Sequence, residues 1–189
     1  THSIISDAAG AHVFVAALGS NHIALYKFNS TTGQLTPNSP ATVMSATARH
    51  LAFHPNGDTL YVNSEAGLTV TSFKYNKTTG VPADPESLTT LPAGAMMGGS
   101  TAHIEVHPSG KFLYVSNRDP HNSMAMFSIN ATTGRLTATG HETGGGMIKR
   151  PRNFAMDPMG KFLVVVNQMS GMDGRQLLDC ISSWWVTLH

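Results

Sequence analysis

A segment of about 17 residues occurs four times in this chain, and it constrains the fold more than any other feature. Each copy contains an apolar run, a turn with a glycine, and a second apolar run that ends in polar residues. The turn glycines, which are spaced by 47, 53 and 50 residues, are Gly10, Gly57, Gly110 and Gly160. A repeat of this period indicates an array in which each unit packs its apolar face against its neighbours.

Within each copy the residues are typical of two β-strands joined by a tight turn. In the second copy, 51–53 and 60–62 flank Pro55-Asn56-Gly57, whose glycine can adopt the positive φ of such a turn. A third β-rich run follows in the first three copies, and a weaker fourth run follows it, as at 34–36 and 135–137. Four short strands in a repeat of this length are typical of a propeller blade. We therefore predict an all-β chain that forms a partial β-propeller of about three and a half four-stranded antiparallel blades.

The copies also predict the domain organisation. We expect the partial propeller over residues 1–168, with repeat units that start near residues 2, 49, 102 and 152. Residues 169–189, which include Trp184 and Trp185, match no part of the repeat, and we interpret them as a non-homologous tail derived from a frameshift, an intron or a splice variant. Because a closed propeller typically has 4–8 blades, we also expect the chain to be truncated at both ends.

Composition excludes several classes of function. The net charge is +1 and only 12% of the residues are charged, so the chain lacks the basic patch by which nucleic-acid-binding proteins are identified. The chain contains no run of 18 apolar residues, so the sequence predicts no membrane-spanning helix. Cys180 is the only cysteine, which excludes a disulfide within the chain, and a reducing, cytoplasmic location is the simplest expectation.

Two further patterns have structural interpretations. Asn-x-Thr sequences at Asn29, Asn76 and Asn130 precede an equivalent glycine in three repeats, so we interpret them as Asx turns rather than as glycosylation acceptors. The aromatic residues within the predicted strands are expected to belong to the core. They are Tyr61, Phe112, Tyr114 and Phe162.

The polar ends of the repeats predict a functional site. Residues eight before and eight after each glycine lie at the open end of a hairpin, and in a propeller these ends meet at the mouth of the central channel. The pairs are His2 with Leu18, Arg49 with Glu65, Ala102 with Arg118, and Arg152 with Gln168. Arginine offers a planar fork of donors to carboxylate or phosphate, so this cluster predicts a site for an anionic, multiply oxygenated ligand. A structural ion pair between Arg49 and Glu65 is the alternative.

A metal site is the weaker interpretation of a neighbouring pattern. His103, Glu105 and His107 alternate along one strand, and two histidines with a carboxylate can hold zinc. However, His107 stands before Pro108 at the same position of the repeat as His54, which indicates an acceptor within a turn. We predict neither a metal ion nor a cofactor.

Three segments carry a resemblance to a known family. RHLAFHPNGDTLYVNSE at 49–65, EVHPSGKFLYVSNR at 105–118 and PRNFAMDPMGKFLVVVNQ at 151–168 resemble the blade sequences of propeller-type lactonases, a family that includes 6-phosphogluconolactonases and carboxy-cis,cis-muconate cycloisomerases. The similarity covers about residues 2–168, and family members have seven blades. The chain departs from the common Ala-Glu-Ile pattern at Ala102-His103-Ile104 and from the common Asn-Glu at Ser64-Glu65, which leaves the identity of the lactone open.

The resemblance implies roles for the mouth residues. A histidine, two arginines and a glutamate form the lactonising site of the cycloisomerase branch. The positions that match this catalytic set are His2, Arg49, Glu65 and Arg118. For substrate binding we assign Arg152 and Gln168, which match further family motifs, together with His50 and His103.

The expected function is hydrolysis of a sugar lactone such as 6-phospho-glucono-1,5-lactone, with activity only in the full-length parent. Glu65 or His2 is expected to act as the general base and the other as the acid. Arg49 and Arg118 are expected to bind the anionic group and the developing oxyanion. The alternatives are carboxy-cis,cis-muconate cycloisomerisation and a non-catalytic propeller that binds a partner. The expected partner is a small anionic lactone or carboxylate, with no nucleic acid and no membrane.

Overall fold

A computed structural model describes residues 1–169 and the backbone of residues 181–184. The strands form four antiparallel sheets in which consecutive strands pair. The first sheet contains β1 (Ser3–Ser6), β2 (His12–Ala17), β3 (His22–Asn29) and β4 (Gln34–Met44). The second contains β5 (Ala48–Phe53), β6 (Thr59–Ser64), β7 (Thr69–Asn76) and β8 (Val81–Thr89). The third contains β9 (Thr101–Val106), β10 (Phe112–Asn117), β11 (Ser123–Ile129) and β12 (Leu136–Glu142). The fourth contains β13 (Pro151–Met156), β14 (Leu163–Asn167) and β15 (Ile181–Trp184).

Each sheet is one blade of a partial propeller, as predicted. The first strands β1, β5, β9 and β13 contact one another in succession, which places them side by side around a common axis. Two single-turn 3-10 helices, Leu18–Ser20 and Gly144–Gly146, lie in the connections. Because the first strands are neighbours, the ends of the inner hairpins of all four blades lie near one another.

The turns have the chemistry that the repeats predict. At the turn between β5 and β6, Gly57 has φ of 75° and its N–H donates to the His54 carbonyl oxygen over 2.8 Å. The Asx turns are also confirmed, since the Oδ1 of Asn130 accepts the N–H groups of Thr132 and Thr133, both over 3.0 Å. Asn29 and Asn76 make the same pair of hydrogen bonds at their turns.

The hydrophobic core lies between neighbouring blades. Phe14 of the first blade and Phe73 of the second belong to one buried cluster, while Tyr61 and Phe127 belong to the cluster between the second and third blades. Tyr61 also donates from its hydroxyl to the Gly134 carbonyl oxygen across that junction over 2.8 Å. Burial of alternating side chains between stacked sheets thus supplies the apolar contacts that hold the blades together.

The expectation that Phe162 belongs to the core is wrong. Phe162 is 39% exposed, and it precedes β14 instead of lying within the strand. Tyr61 and Tyr114 are buried and Phe112 packs partly buried against the core, as predicted. The apolar residue directly after the turn therefore lies at the surface in the fourth blade.

The predicted tail lies mostly outside the described residues. Within it the structure describes Met169 and strand β15, whose backbone pairs antiparallel with β14. Trp185 and Cys180 lie outside the described residues, so the origin of residues 169–189 and the cytoplasmic location stay predictions. Among the described residues, no helix has the length and apolar character needed to cross a membrane.

Candidate functional site at the mouth of the partial propeller

A β-bulge at the start of three first strands positions two of the predicted arginines, Arg49 and Arg152. In β5, Ala48 pairs with Ser64 and His50 pairs with Asn63, so Arg49 is the inserted residue. The same shift in β9 and β13 places Ala102 and Arg152 at equivalent positions. A bulge bends its strand and changes the direction of a side chain, and bulges are frequent beside functional sites.

Side chains of the adjacent strands satisfy the backbone groups that the bulges release. The N–H of His50 donates to the Oδ1 of Asn63 over 2.9 Å, and the N–H of His103 donates to the Oγ of Ser116 over the same distance. The buried amide of Asn63 also donates to the Oγ1 of Thr101 in the next blade over 2.7 Å. These bonds hold the bulges and therefore fix the side chains that start there.

Glu65 lies between two arginines at the junction of the second and third blades. Arg118 donates from Nη2 to the Oε1 of Glu65, and the Nε of Arg49 lies 3.6 Å from Oε2. The side chains of Arg49 and Arg118 are only 2% and 9% exposed. The two blades therefore share one largely buried ion network.

The two arginines retain donors that the described residues do not use. Arg49 donates from Nη1 to the Ala102 carbonyl oxygen, but its Nε and the Nε of Arg118 are buried without a hydrogen-bond partner within the described part of the chain. Burial lowers the pKa of Arg49 to about 10, and the charge of Arg118 acts in the same direction while Glu65 opposes it. Arg49 therefore stays charged near neutral pH. Because two arginines share one glutamate, the network carries a net positive charge.

His2 reaches this network from the first blade. Its ring lies 5.0 Å from the ring of His50, measured between centroids. Burial first, and then Arg49, lower the pKa of His2, and Glu65, Arg152 and Arg118 also act on it. Lowering of the pKa favours the neutral imidazole, which can accept a proton.

His50 and His103 form a hydrogen-bonded pair next to the ion network. Their Nδ1 atoms lie 2.7 Å apart, and the ring of His103 lies 4.8 Å from the ring of Phe154. Burial, then Arg49 and the neighbouring histidines, lower the pKa of His50 to about 3. Burial and then Arg49 lower the pKa of His103 to about 4. Both rings are therefore neutral near pH 7.

All eight predicted site residues lie at the mouth. Arg152 donates from Nη1 to the Oε1 of Gln168 over 3.4 Å at the exposed edge and acts electrostatically on His2 and Arg49.

Sequence reasoning missed Phe154, the bulges and the hydrogen bond between His50 and His103. Phe154 occupies the same position of the repeat as Leu51, so only the alignment of the repeats could have indicated it.

The alternating residues His103, Glu105 and His107 do not come together as metal ligands. His107 lies at the turn end of β9, where its Nδ1 accepts the N–H of Ser109 over 3.0 Å and its Nε2 contacts the Gly160 carbonyl oxygen over 2.9 Å. Among the described residues, no three histidine, cysteine, aspartate or glutamate side chains are placed to hold a metal ion.

The mouth therefore combines charged arginines with imidazoles that are neutral near pH 7. Such a group of polar and charged side chains around one opening marks the mouth as a candidate site for a small molecule. The profile of the family described as "Lactonase, 7-bladed beta-propeller" matches residues 1–172. The chain belongs to this seven-bladed propeller lactonase family, and the resemblance of its blade motifs is confirmed.

Individual relatives agree with this membership. The chain is 36% identical over 166 residues to a 6-phosphogluconolactonase of Formosa agariphila, which covers 84% of the chain and 45% of that protein. It is 32% identical over 161 residues to a 6-phosphogluconolactonase of Bacillus subtilis, covering 85% of the chain and 45% of the relative. The structure of the Pseudomonas aeruginosa periplasmic gluconolactonase PpgL matches 88% of the chain and 47% of its own chain at a TM-score of 0.80 and 27% identity. The chain thus spans about half the length of the curated relatives it matches.

Proposed function

We propose that the protein carrying this chain hydrolyses a sugar lactone with an anionic group, such as 6-phospho-glucono-1,5-lactone. The observation that carries the proposal is the ion network of Arg49, Glu65 and Arg118, in which two buried N–H donors have no partner among the described residues. Relatives named 6-phosphogluconolactonase support the choice of a lactone.

The arginines supply binding and electrostatic stabilisation. Arg152 is exposed at the edge of the mouth, where a phosphate or carboxylate can reach its guanidinium. The positive charge of the Arg49 and Arg118 guanidinium groups is suited to stabilise the oxyanion that forms when water attacks the lactone carbonyl. Such preorganised donors typically provide the largest electrostatic contribution to acyl transfer.

His2 is the better candidate for the general base. Both carboxylate oxygens of Glu65 already face guanidinium groups, whereas the lowered pKa of His2 keeps its imidazole neutral and able to take a proton. We propose that His2 removes a proton from the attacking water and then returns a proton to the ring oxygen as the carbon–oxygen bond breaks. Glu65 then acts by holding the two arginines in place.

The test is turnover of 6-phosphogluconolactone by the intact protein that carries this chain. We expect His2→Gln to lower kcat by about 10²–10⁴-fold, the usual contribution of a general base, while the thermal unfolding midpoint changes little. His121→Gln, in the connection between β10 and β11, is the matched control and should retain the wild-type rate. A folded His2→Gln variant with full activity contradicts the assignment of the base, and absence of lactone turnover in the wild-type protein contradicts the proposed function.

A further inference from the structure

A row of four rings runs across the first strands of successive blades at the mouth. His2 lies 5.0 Å from His50, His50 lies 5.0 Å from His103, and His103 lies 4.8 Å from Phe154, all measured between ring centroids. The row borders the ion network, since Arg49 is the residue before His50. A ligand whose anion contacts the arginines therefore places its remaining atoms against imidazoles and one phenyl ring.

The two central rings share a single proton at their contact. A neutral imidazole carries one N–H, so only one of two Nδ1 atoms 2.7 Å apart can be the donor. The ring that donates from Nδ1 has an unprotonated Nε2, and its partner must carry its own proton at Nε2. Whichever ring donates, His50 and His103 together present one Nε2 acceptor and one Nε2–H donor.

The charge state of this pair is set by its surroundings. A second proton would place a cation beside Arg49 in a poorly solvated position, and the groups that act on His50 besides burial are Arg49, His103, His2 and Arg152. Glu65, the neighbouring acid, is already bonded to Arg118 and faces Arg49. The pair therefore stays uncharged while the arginines next to it stay charged.

Both outer nitrogens are available to a ligand. Within the described residues neither Nε2 has a hydrogen-bond partner, and neither belongs to the polar atoms that are sealed from solvent. The backbone on either side is fixed, because Asn63 and Ser116 bind the N–H groups of the two histidines. The pair is thus a preorganised donor and acceptor.

We propose that His50 and His103 act as one uncharged unit that binds hydroxyl oxygens of the ligand and disfavours a second anionic group at that position. A hydroxyl both donates and accepts, so it matches either nitrogen, whereas a carboxylate only accepts and would face one nitrogen lone pair. The inference rests on the proposed function for the identity of the ligand. In this proposal the histidine pair discriminates between hydroxyl and anionic groups, and the arginines bind the anion.

The experiment compares two ligands of equal charge and similar length in the intact protein that carries this chain. They are 6-phosphogluconate and 6-phosphohexanoate, which has the same phosphate and carboxylate but no hydroxyl groups. Titration calorimetry should show at least about tenfold tighter binding of 6-phosphogluconate, the difference expected for a hydrogen-bond pair left unmade. His103→Leu should remove most of this preference and leave the affinity for 6-phosphohexanoate within about twofold. His107→Leu, at the other end of the same strand, should preserve the preference.

Equal affinity of the wild-type protein for the two ligands would overturn the inference, as would an unchanged preference in His103→Leu. A measurement on the wild-type protein keeps the inference testable even if a variant does not fold. Nitrogen-15 spectra of the wild-type histidines should show one ring of the pair protonated at Nδ1 and the other at Nε2. Two rings protonated at the same type of nitrogen would overturn the inference. None of these measurements needs turnover, so failure of the proposed lactonase activity is seen separately.

Discussion

The two ends of the first strands use the same residue type in opposite ways. His103 lies at the mouth end of β9, and His107 lies four residues later, directly after the strand at its turn end. Both ring nitrogens of His107 are occupied, by the Ser109 N–H and by the Gly160 carbonyl oxygen of the next blade. His103 uses its Nδ1 for His50 and has an outer nitrogen without a partner among the described residues.

The second blade repeats this difference. His54 at the turn end accepts the Asn56 N–H at Nδ1 over 3.2 Å and contacts the Gly110 carbonyl oxygen through Nε2 over 2.8 Å. His50 at the mouth end of the same strand again uses only Nδ1. Hydrogen-bond satisfaction therefore separates histidines that join blades from histidines that are available to a ligand. Residue type alone does not distinguish the two groups.

The largest effect is expected from Glu65→Gln at the mouth. Removal of this charge leaves Arg49 and Arg118 close together without a counterion, so the free energy of unfolding should fall toward the lower end of about 3–5 kcal/mol, because Glu65 is 24% exposed. Turnover should fall at least about 100-fold because the arginines lose their positions. Urea denaturation and the lactone assay measure the two effects.

An exposed ion pair at the turn end is the control for that change. Lys77 lies 2.7 Å from Asp58, and their side chains are 54% and 62% exposed. Asp58→Asn should cost no more than about 1 kcal/mol and leave turnover unchanged. Equal losses of stability from Asp58→Asn and Glu65→Gln would contradict the view that the mouth network is the buried, strongly coupled one.

The next largest effect separates backbone strain from the contact between blades. Gly160 and Gly10 occupy equivalent turns with φ of 67° and 64°, but a methyl group at Gly160 would lie 2.3 Å from the Nε2 of His107, while one at Gly10 would contact nothing within 4 Å. Gly10→Ala should cost about 1–2 kcal/mol from the left-handed backbone alone. Gly160→Ala should cost about 2 kcal/mol more, because His107 must move and lose its hydrogen bond. Equal thermal shifts for the two variants would show that the contact contributes nothing.

These contacts mark the limit of what the sequence predicts. The spacing of the glycines predicted the hairpins, and the residues eight positions away on either side predicted that Arg49 and Glu65 lie at one end. The bulge at Arg49 was not predictable, since the inserted residue has no composition signal and appears only in the pairing of Ala48 and His50 with β6. Contacts between blades depend on the angle between sheets, which a repeat alone does not specify.

The same limit explains which part of the site was predicted. The aligned repeats placed His50 and His103 among the substrate-binding residues, but their hydrogen bond joins residues 53 positions apart in different blades. Its length depends on both bulges and on the packing between β5 and β9. The chemistry of the site was therefore predictable by position, whereas its protonation states required the structure.

A smaller difference in stability is expected when the histidines at the two ends of β9 are replaced one at a time. His107→Leu leaves the Ser109 N–H and the Gly160 carbonyl oxygen without their partner, so the free energy of unfolding should fall by about 1–3 kcal/mol. His103→Leu loses one hydrogen bond in a more accessible position and should cost less. Chemical denaturation of both variants measures the difference, and a greater loss of stability in His103→Leu would reverse the assignment of structural and functional ends.

The smallest expected effect is the pH dependence of stability that His50 and His103 cause. The folded pKa values of His50 and His103 are about 3 and about 4, below the value of about 6.5 for an unfolded histidine, so unfolding takes up protons between these limits. This contribution is complete above the unfolded pKa and is lost as the pH falls from about 6.5 toward the folded values. With allowance for partial exposure, the free energy of unfolding should fall by less than about 1 kcal/mol between about pH 7.5 and about pH 6. The double variant His50→Gln with His103→Gln should show a flatter profile, and identical profiles for variant and wild type would mean that the pair is not held neutral by the fold.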